Sequence, residues 1–328
     1  MDSGQTAELT NVTESPGSIT WSPDGDWIAM TMFVPESSPT FAKMPPKPDG
    51  AEWTTPPIVI NKLRYRSDGR GYLDDGYTHI FVLPAEGGTP RQITSGSYNH
   101  GGGRSWSPDS RCVVFSANRG DADFDVRDSE VFEISVATGE LTQLTDRFGP
   151  DSGPVLSPDG SLIAYTGFDD EYQGYQIARL YVMSRDGSGI RRISDLDRSF
   201  GGLNWAADGR GLYFQYDDQG MTKVAYVSLD GEVEDLAEHV GGVGLGRPYG
   251  GGSYTVAGNG RFAVTHTTPA HPADLAVGQR GSEARRVTRL NEDLLAHKKL
   301  AQVEELWWES SYDGRPIHGW IATPPDFD

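Results

Sequence analysis

The stretch Trp21-Ser22-Pro23-Asp24-Gly25 decides the fold, because it returns. Trp106-Ser107-Pro108-Asp109-Ser110 and Leu156-Ser157-Pro158-Asp159-Gly160 repeat it. Trp205-Ala206-Ala207-Asp208-Gly209 and Val256-Ala257-Gly258-Asn259-Gly260 are worn versions. The last four begin at 106, 156, 205 and 256, so the steps are 50, 49 and 51 residues. A fixed period of that size marks a solenoid or a propeller. Each member reads as a tight turn: Ser bonds the backbone ahead, Pro presets φ, Asp suits the third position and Gly supplies the left-handed residue. An apolar run follows each time, as in Trp27-Ile28-Ala29-Met30, Cys112-Val113-Val114-Phe115 and Leu162-Ile163-Ala164-Tyr165. The Trp or Leu ahead of the turn is expected in the core between neighbouring sheets, where burying a Trp is worth about 4–6 kcal/mol as an upper bound.

A second repeat is interleaved. Ile80-Phe81-Val82-Leu83 to Arg91-Gln92-Ile93-Thr94, Val131-Phe132-Glu133-Ile134 to Thr142-Gln143-Leu144-Thr145, and three later pairs each flank a glycine turn. These are hairpins. One turn pair plus one hairpin gives four antiparallel strands in about 50 residues, the anatomy of a propeller blade. The expected fold is therefore all-β, a β-propeller of four-stranded antiparallel blades, with five units visible.

Composition narrows the function classes. The 328 residues carry a formal net charge of −19, which argues against nucleic acid, whose binding rests on Lys and Arg neutralising phosphates. Such a surface suits solubility and attracts cationic groups such as peptide amines. No apolar run reaches membrane-spanning length, and the start of the chain lacks the pattern of a signal peptide. A cytoplasmic location is expected, or a periplasmic one if a signal peptide preceded Met1. The single cysteine, Cys112, allows no intrachain disulfide and is expected to be a buried structural residue.

Along the chain, Ala7-Glu8-Leu9-Thr10 reads as the closing strand of a hairpin without a partner, which implies an earlier blade before Met1. From Trp21 to Trp106 is 85 residues, about 35 more than one blade needs. The excess, 35 to about 70, has Pro at 35, 39, 45, 46, 48, 56 and 57 and reads as a surface excursion ending in a hairpin at Ser67-Asp68-Gly69. The links between second and third strands are polar and acidic, Arg119 to Glu130, Asp169-Asp170-Glu171-Tyr172-Gln173-Gly174-Tyr175 and Asp217-Asp218-Gln219-Gly220, and together read as an acidic rim that contains Tyr. Strand alternation puts them at the sheet ends opposite the Ser-Pro-Asp-Gly turns. Glu130, Asp170, Glu171 and Tyr172 are the candidate residues for holding a substrate amine; a plain solvated loop is the competing reading. Asp121, Asp123 and Asp125 start like a calcium loop, but Val126 and Phe132 stand where Gly and Glu are required. No metal site and no cofactor is expected. Asn291 to Gln302 reads as a linker or short helix capped by Asn291, and 303–328 as a hairpin around Asp313-Gly314 outside the repeat.

Three features together resemble the prolyl oligopeptidase (S9) family of serine peptidases, in its acylaminoacyl-peptidase and dipeptidyl-peptidase-like branch. They are the Trp-Ser-Pro-Asp-Gly blades, the run Lys62 to Tyr72 followed by Thr78-His79-Ile80-Phe81-Val82, and the exit Ser310-Ser311-Tyr312-Asp313-Gly314-Arg315-Pro316-Ile317-His318-Gly319-Trp320-Ile321. The resemblance implies a propeller over 1–290, incomplete at its start, from a parent with seven or eight blades. It implies a linker over 291–302 and, over 303–328, the first hairpin of an α/β-hydrolase domain that follows. No Gly-x-Ser-x-Gly elbow occurs, so the chain carries no catalytic residue and is expected to be inactive alone. The implied role is a substrate-gating propeller of a peptidase hydrolysing short peptides with a Ser-Asp-His triad in that following domain. The implied partners are the hydrolase domain and a short peptide, with no nucleic acid or membrane and homo-oligomerisation left open. The alternative is a stand-alone TolB-like protein-binding propeller without enzymatic activity.

Overall fold

In the computed structural model the described residues are 6–37, 45–54, 57–242 and 251–327. Pro39 and Pro56 of the proline-rich excursion lie outside them. Five four-stranded antiparallel sheets follow one another along the chain, each in simple sequence order. The first holds β1 (Gly17–Trp21) and β2 (Trp27–Pro35), then, after the short hairpin β3 (Arg66–Ser67) and β4 (Gly71–Tyr72), β5 (Gly76–Pro84) and β6 (Arg91–Gln92). The second holds β7 (Arg104–Trp106), β8 (Cys112–Ala117), β9 (Glu130–Ser135) and β10 (Leu141–Gln143). The third holds β11 (Asp151–Leu156), β12 (Leu162–Gly167), β13 (Arg179–Ser184) and β14 (Arg191–Arg192). The fourth holds β15 (Gly201–Trp205), β16 (Gly211–Asp218), β17 (Met221–Ser228) and β18 (Val233–Ala237). The fifth holds β19 (Tyr254–Val256), β20 (Arg261–Thr268), β21 (His271–Gln279) and β22 (Ser282–Arg286). A helical turn, α1 (Glu292–Leu295), and a hairpin, β23 (Gln302–Glu309) and β24 (Pro316–Thr323), complete the order. The chain divides into two compact units, 1–156 with 167–176, and 157–166 with 177–328.

The repeated turn is built as its residues dictate. Ser22 Oγ donates to Asp24 Oδ1 at 2.5 Å and accepts from Trp27 N at 2.9 Å, while Asp26 N donates to the same Asp24 oxygen. Ser107–Asp109 and Ser157–Asp159 repeat this at 2.5 and 2.6 Å. The residue leaving the turn has positive φ in every version: Gly25 (79°), Ser110 (58°), Gly160 (73°), Gly209 (68°) and Gly260 (77°). Where Ser is lost, the Asx bond persists: Asp208 Oδ1 accepts from Arg210 N at 3.0 Å and Asn259 Oδ1 from Arg261 N at 3.1 Å. Ser110 adds a tie between sheets, its Oγ accepting from Asp24 N at 3.1 Å.

Facing sheets bury their inner strands. In the first unit Ala29, Ile80 and Val82 pack with Val113, Phe115, Phe132 and Ile134. The other face of β2 is also covered, Ile28, Met30 and Met32 packing with Leu83 and Val12, which is why the strand is apolar on both faces from Trp27 to Met30. In the second unit Tyr213, Val224 and Tyr226 pack with Phe262, Val264 and Ala276. Arg280 lies 3.8 Å from the Tyr226 ring centroid and pairs with Glu234 at 2.6 Å.

Several expectations need correction. Trp106 is buried and donates from Nε1 to Thr20 O at 3.4 Å, but Trp21, its counterpart, is 57% exposed. Burial at that position comes from an adjoining sheet, and the turn alone does not supply it. Ala7–Thr10 forms no strand; Leu9 O instead accepts from Gly88 N at 2.9 Å, which pins the segment to the hairpin turn of the first sheet. Cys112 is half-buried, at the start of β8. Asn291 stands at the N-cap of α1 but makes no side-chain cap bond, and the helix is only one turn long. The hairpin at Ser67-Asp68-Gly69 is present, with Arg66 opposite Tyr72 and Ser67 opposite Gly71.

Candidate functional site

The first two sheets each carry a polar node near the start of the third strand, and the third sheet repeats its spacing. In the first sheet His79 Nδ1 lies 3.2 Å from Thr94 Oγ1, which also accepts from Ile80 N at 2.9 Å. In the second, Thr145 Oγ1 donates to Glu130 and accepts from Val131 N at 2.9 Å. The hydroxyl residue lies two positions past the fourth strand, and the chain turns back so that the residue six positions later (94 to 100, 145 to 151) meets the third strand. Its backbone N–H donates to the residue before the node: His100 N to Thr78 O at 2.7 Å, Asp151 N to Ser129 O at 2.6 Å and Phe200 N to Ala178 O at 2.9 Å. The register is constant and the chemistry varies, with His79, Thr94 and His100, then Glu130, Thr145 and Asp151, then Arg179, Ser194 and Phe200.

Burial sets the electrostatics of these nodes. Burial pushes Glu130 up to about 7, and neighbouring Asp151 adds to the rise; the Thr145 bond opposes it. Asp151, 1% exposed, is also pushed up by burial, to about 6, against the pull of the Arg147 guanidinium bonded to its Oδ1. Its Oδ2 accepts no hydrogen bond among the described residues. In the neighbouring node His100 is fully buried and stacks on His79 at 5.1 Å. Arg119 Nη1 lies 2.7 Å from His100 Nε2, and since a guanidinium only donates, that nitrogen carries no hydrogen. Burial first, then His79 and Arg119, hold His100 down to about 4.

The four residues singled out from sequence fall in the first unit and play different parts. Glu130 is half-buried within its node. Asp170 is enclosed: Arg127 Nη2 donates to its Oδ1 at 2.8 Å and Tyr172 N at 2.7 Å, so it organises the loop. Glu171 is exposed and accepts from Gln173 Nε2 at 3.2 Å. Tyr172 is 71% exposed and its hydroxyl donates to Asp125 Oδ1 at 3.3 Å. The structure thus joins Asp170, Tyr172 and the Asp121–Glu130 loop, and leaves Glu130 in a separate polar pair with Asp151. Sequence reasoning missed Asp151, His79 and His100. Their signal is the constant spacing from the Thr that ends each hairpin, which alignment of the blades on Thr94 and Thr145 exposes. Asp125 is engaged by Tyr172, and no group of three or more His, Cys, Asp or Glu among the described residues converges as a metal site. Among the described residues, no helix is long and apolar enough to cross a membrane.

The second unit has an open cleft of about 640 Å³ lined by Phe200, Gly201, Gly202, Gln215 and Tyr216. Arg198 at its edge is bound to Asp218 at 2.8 Å.

Comparison with known proteins agrees with this architecture. Residues 52–167 match the family described as the dipeptidyl peptidase IV (DPP IV) N-terminal region. The uncharacterized peptidase YuxL of Bacillus subtilis (strain 168) is 24% identical over 342 residues, spanning 100% of this chain and 50% of its own length. The uncharacterized protein Atu1656 of Agrobacterium fabrum (strain C58) is 31% identical over 239 residues, 70% of each chain. Among solved structures, acylaminoacyl peptidase in complex with Z-Gly-Gly-Phe-chloromethyl ketone superposes with a TM-score of 0.71 at 17% identity, over 99% of this chain and 46% of that one. TolB from Acinetobacter baumannii superposes with a TM-score of 0.50 at 17% identity, over 83% of this chain and 56% of that one. The chain spans about half the length of the peptidases it matches. With its five four-stranded blades, the chain belongs to the family of N-terminal β-propellers of the prolyl oligopeptidase (S9) peptidases.

Proposed function

We propose that this chain is the non-catalytic, substrate-gating propeller of a serine peptidase that hydrolyses short peptides. The observation that carries the reading is the end-to-end match to a peptidase twice as long, together with a hairpin, β23–β24, that stands outside the blade repeat. The chemistry would belong to an α/β-hydrolase domain after that hairpin, as part of the same polypeptide or as an associated chain. The propeller's share is selection: Glu171 and Tyr172 on the rim, with Asp170 positioning their loop and Glu130 behind it, would meet the amine of an incoming peptide. The test is the native protein purified from its source, examined by intact mass and by labelling with a fluorophosphonate. A labelled serine on this chain's continuation or on a co-purifying partner is expected. An unlabelled 35.7 kDa chain with no associated hydrolase would refute the reading. That result would instead favour a stand-alone TolB-like binding propeller, a reading supported by the superposition on TolB and, for the stand-alone part, by Atu1656, which matches over 70% of its own length.

A further inference from the structure

Three loops of the first unit, 118–130, 146–150 and 168–176, are knitted into one platform. Arg127 reaches across to Asp170 at 2.8 Å and to Gln173 O at 3.4 Å. Asp170 N donates to Phe148 O at 3.0 Å, and Gly149 N to Asp128 Oδ1 at 3.0 Å. Asn118 Nδ2 fixes the Asp125 carbonyl at 2.7 Å. The knitting turns aromatic rings outward: Phe124 is 72% exposed, Tyr172 71% and Tyr175 81%. Tyr172 and Phe148 lie 5.6 Å apart, and Tyr172 is held at φ +57°, a conformation a residue of its size rarely adopts.

Exposed aromatic rings on loops tied together in this way, with Tyr172 and Phe148 paired, mark a contact surface. What it contacts follows from the collar. Asp121, Asp123 and Glu171 are exposed on the same loops, while the arginines of those loops are already engaged, Arg119 with His100, Arg127 with Asp170 and Arg147 with Asp151 and Asp169. A neutral apolar partner would desolvate those carboxylates without compensation, and an anionic one would be repelled. A guanidinium satisfies both halves: it stacks on aromatic faces and donates in-plane to carboxylates.

The geometry points to this platform as a docking site for peptide segments that carry arginine side chains. The inference deepens the proposed reading of Glu171 and Tyr172 as a peptide-facing rim and rests on it. Its test is arranged to be independent of both amine recognition and hydrolysis. An N-acetylated, C-amidated tetrapeptide with two arginines, and its citrulline isostere, are titrated into this chain by calorimetry. The arginine peptide should bind at least about tenfold tighter than the citrulline one, and more weakly as salt is raised. Tyr172→Asn, which tolerates positive φ, and Glu171→Gln should each weaken it by about threefold or more. Equal affinity for the two peptides, no saturable binding of the arginine peptide, or unchanged affinity in Tyr172→Asn would overturn the assignment. The first comparison uses the unaltered chain, so no outcome depends on a variant folding. Failure here leaves the serine-labelling result standing, and failure of the labelling leaves this binding result standing.

Discussion

Ser157 and Ala206 occupy the same place in successive sheets and differ by one hydroxyl. Ser157 Oγ accepts from Leu162 N at 2.9 Å and donates to Asp159, while at Ala206 the turn keeps only its backbone and Asx bonds. Ser157→Ala should cost about 1 kcal/mol and Ala206→Ser should return a similar amount, both read from urea unfolding. The first change also has a pH signature. The Ser157 hydroxyl leads the groups that hold Asp159 down to about 2 from 3.8, so its stabilising share is present above 3.8 and lost as pH falls through about 2. Removing Ser157 should therefore move acid unfolding to higher pH. Glu130 has the opposite sign. Burial raises it from 4.5 to about 7, so its contribution is complete below 4.5 and disappears as pH rises through about 7. Glu130→Gln should flatten the dependence of melting temperature on pH across that window; an unchanged slope would exclude a buried, protonated Glu130.

At the scale of elements, the turn repeat was legible because its chemistry is local: Ser, Asp and Gly act on neighbours within five residues. Burial of the residue ahead of it was not, because it depends on a sheet elsewhere in the chain, as Trp21 and Trp106 show. The second turn offers a test of how strain and tertiary bonding offset each other. Ser110 bears the left-handed conformation that Gly bears in the other turns, yet its hydroxyl ties β8's sheet to Asp24. Ser110→Gly should relieve about 1 kcal/mol of strain and lose a bond of similar worth, leaving stability nearly unchanged. Ser110→Ala keeps the strain and loses the bond, and should destabilise by about 1 kcal/mol in the same urea experiment. The terminal hairpin is held differently. A Cβ at Gly220, in the β16–β17 turn, would run into the Trp320 ring of β24. Gly220→Ala, which also strains its own turn at φ +77°, should thus loosen β23–β24 beyond that turn, seen as faster amide exchange over 302–323.

For the whole molecule, blade number, strand order and the excursion between β2 and β5 could be read from period and proline spacing, since both are one-dimensional signals. The candidate site was only half legible. Acidic loops announce themselves, but nothing in a linear reading shows that Asp170 is consumed by Arg127 or that Asp151 comes near enough to raise Glu130. Those pairings join loops from different blades and arise only once the sheets are stacked. The nodes at the start of each third strand carry a wider implication. A shared backbone bond sets the frame in all three, joined by a threonine hydroxyl in the first two, and the side chain at that place is imidazole, carboxyl or guanidinium without a change in the backbone register. Such a socket decouples scaffold from cargo: exchanging His79, Glu130 or Arg179 rewrites the local charge while the apolar layers stay put, so the same architecture could be retuned to a different clientele by a handful of substitutions.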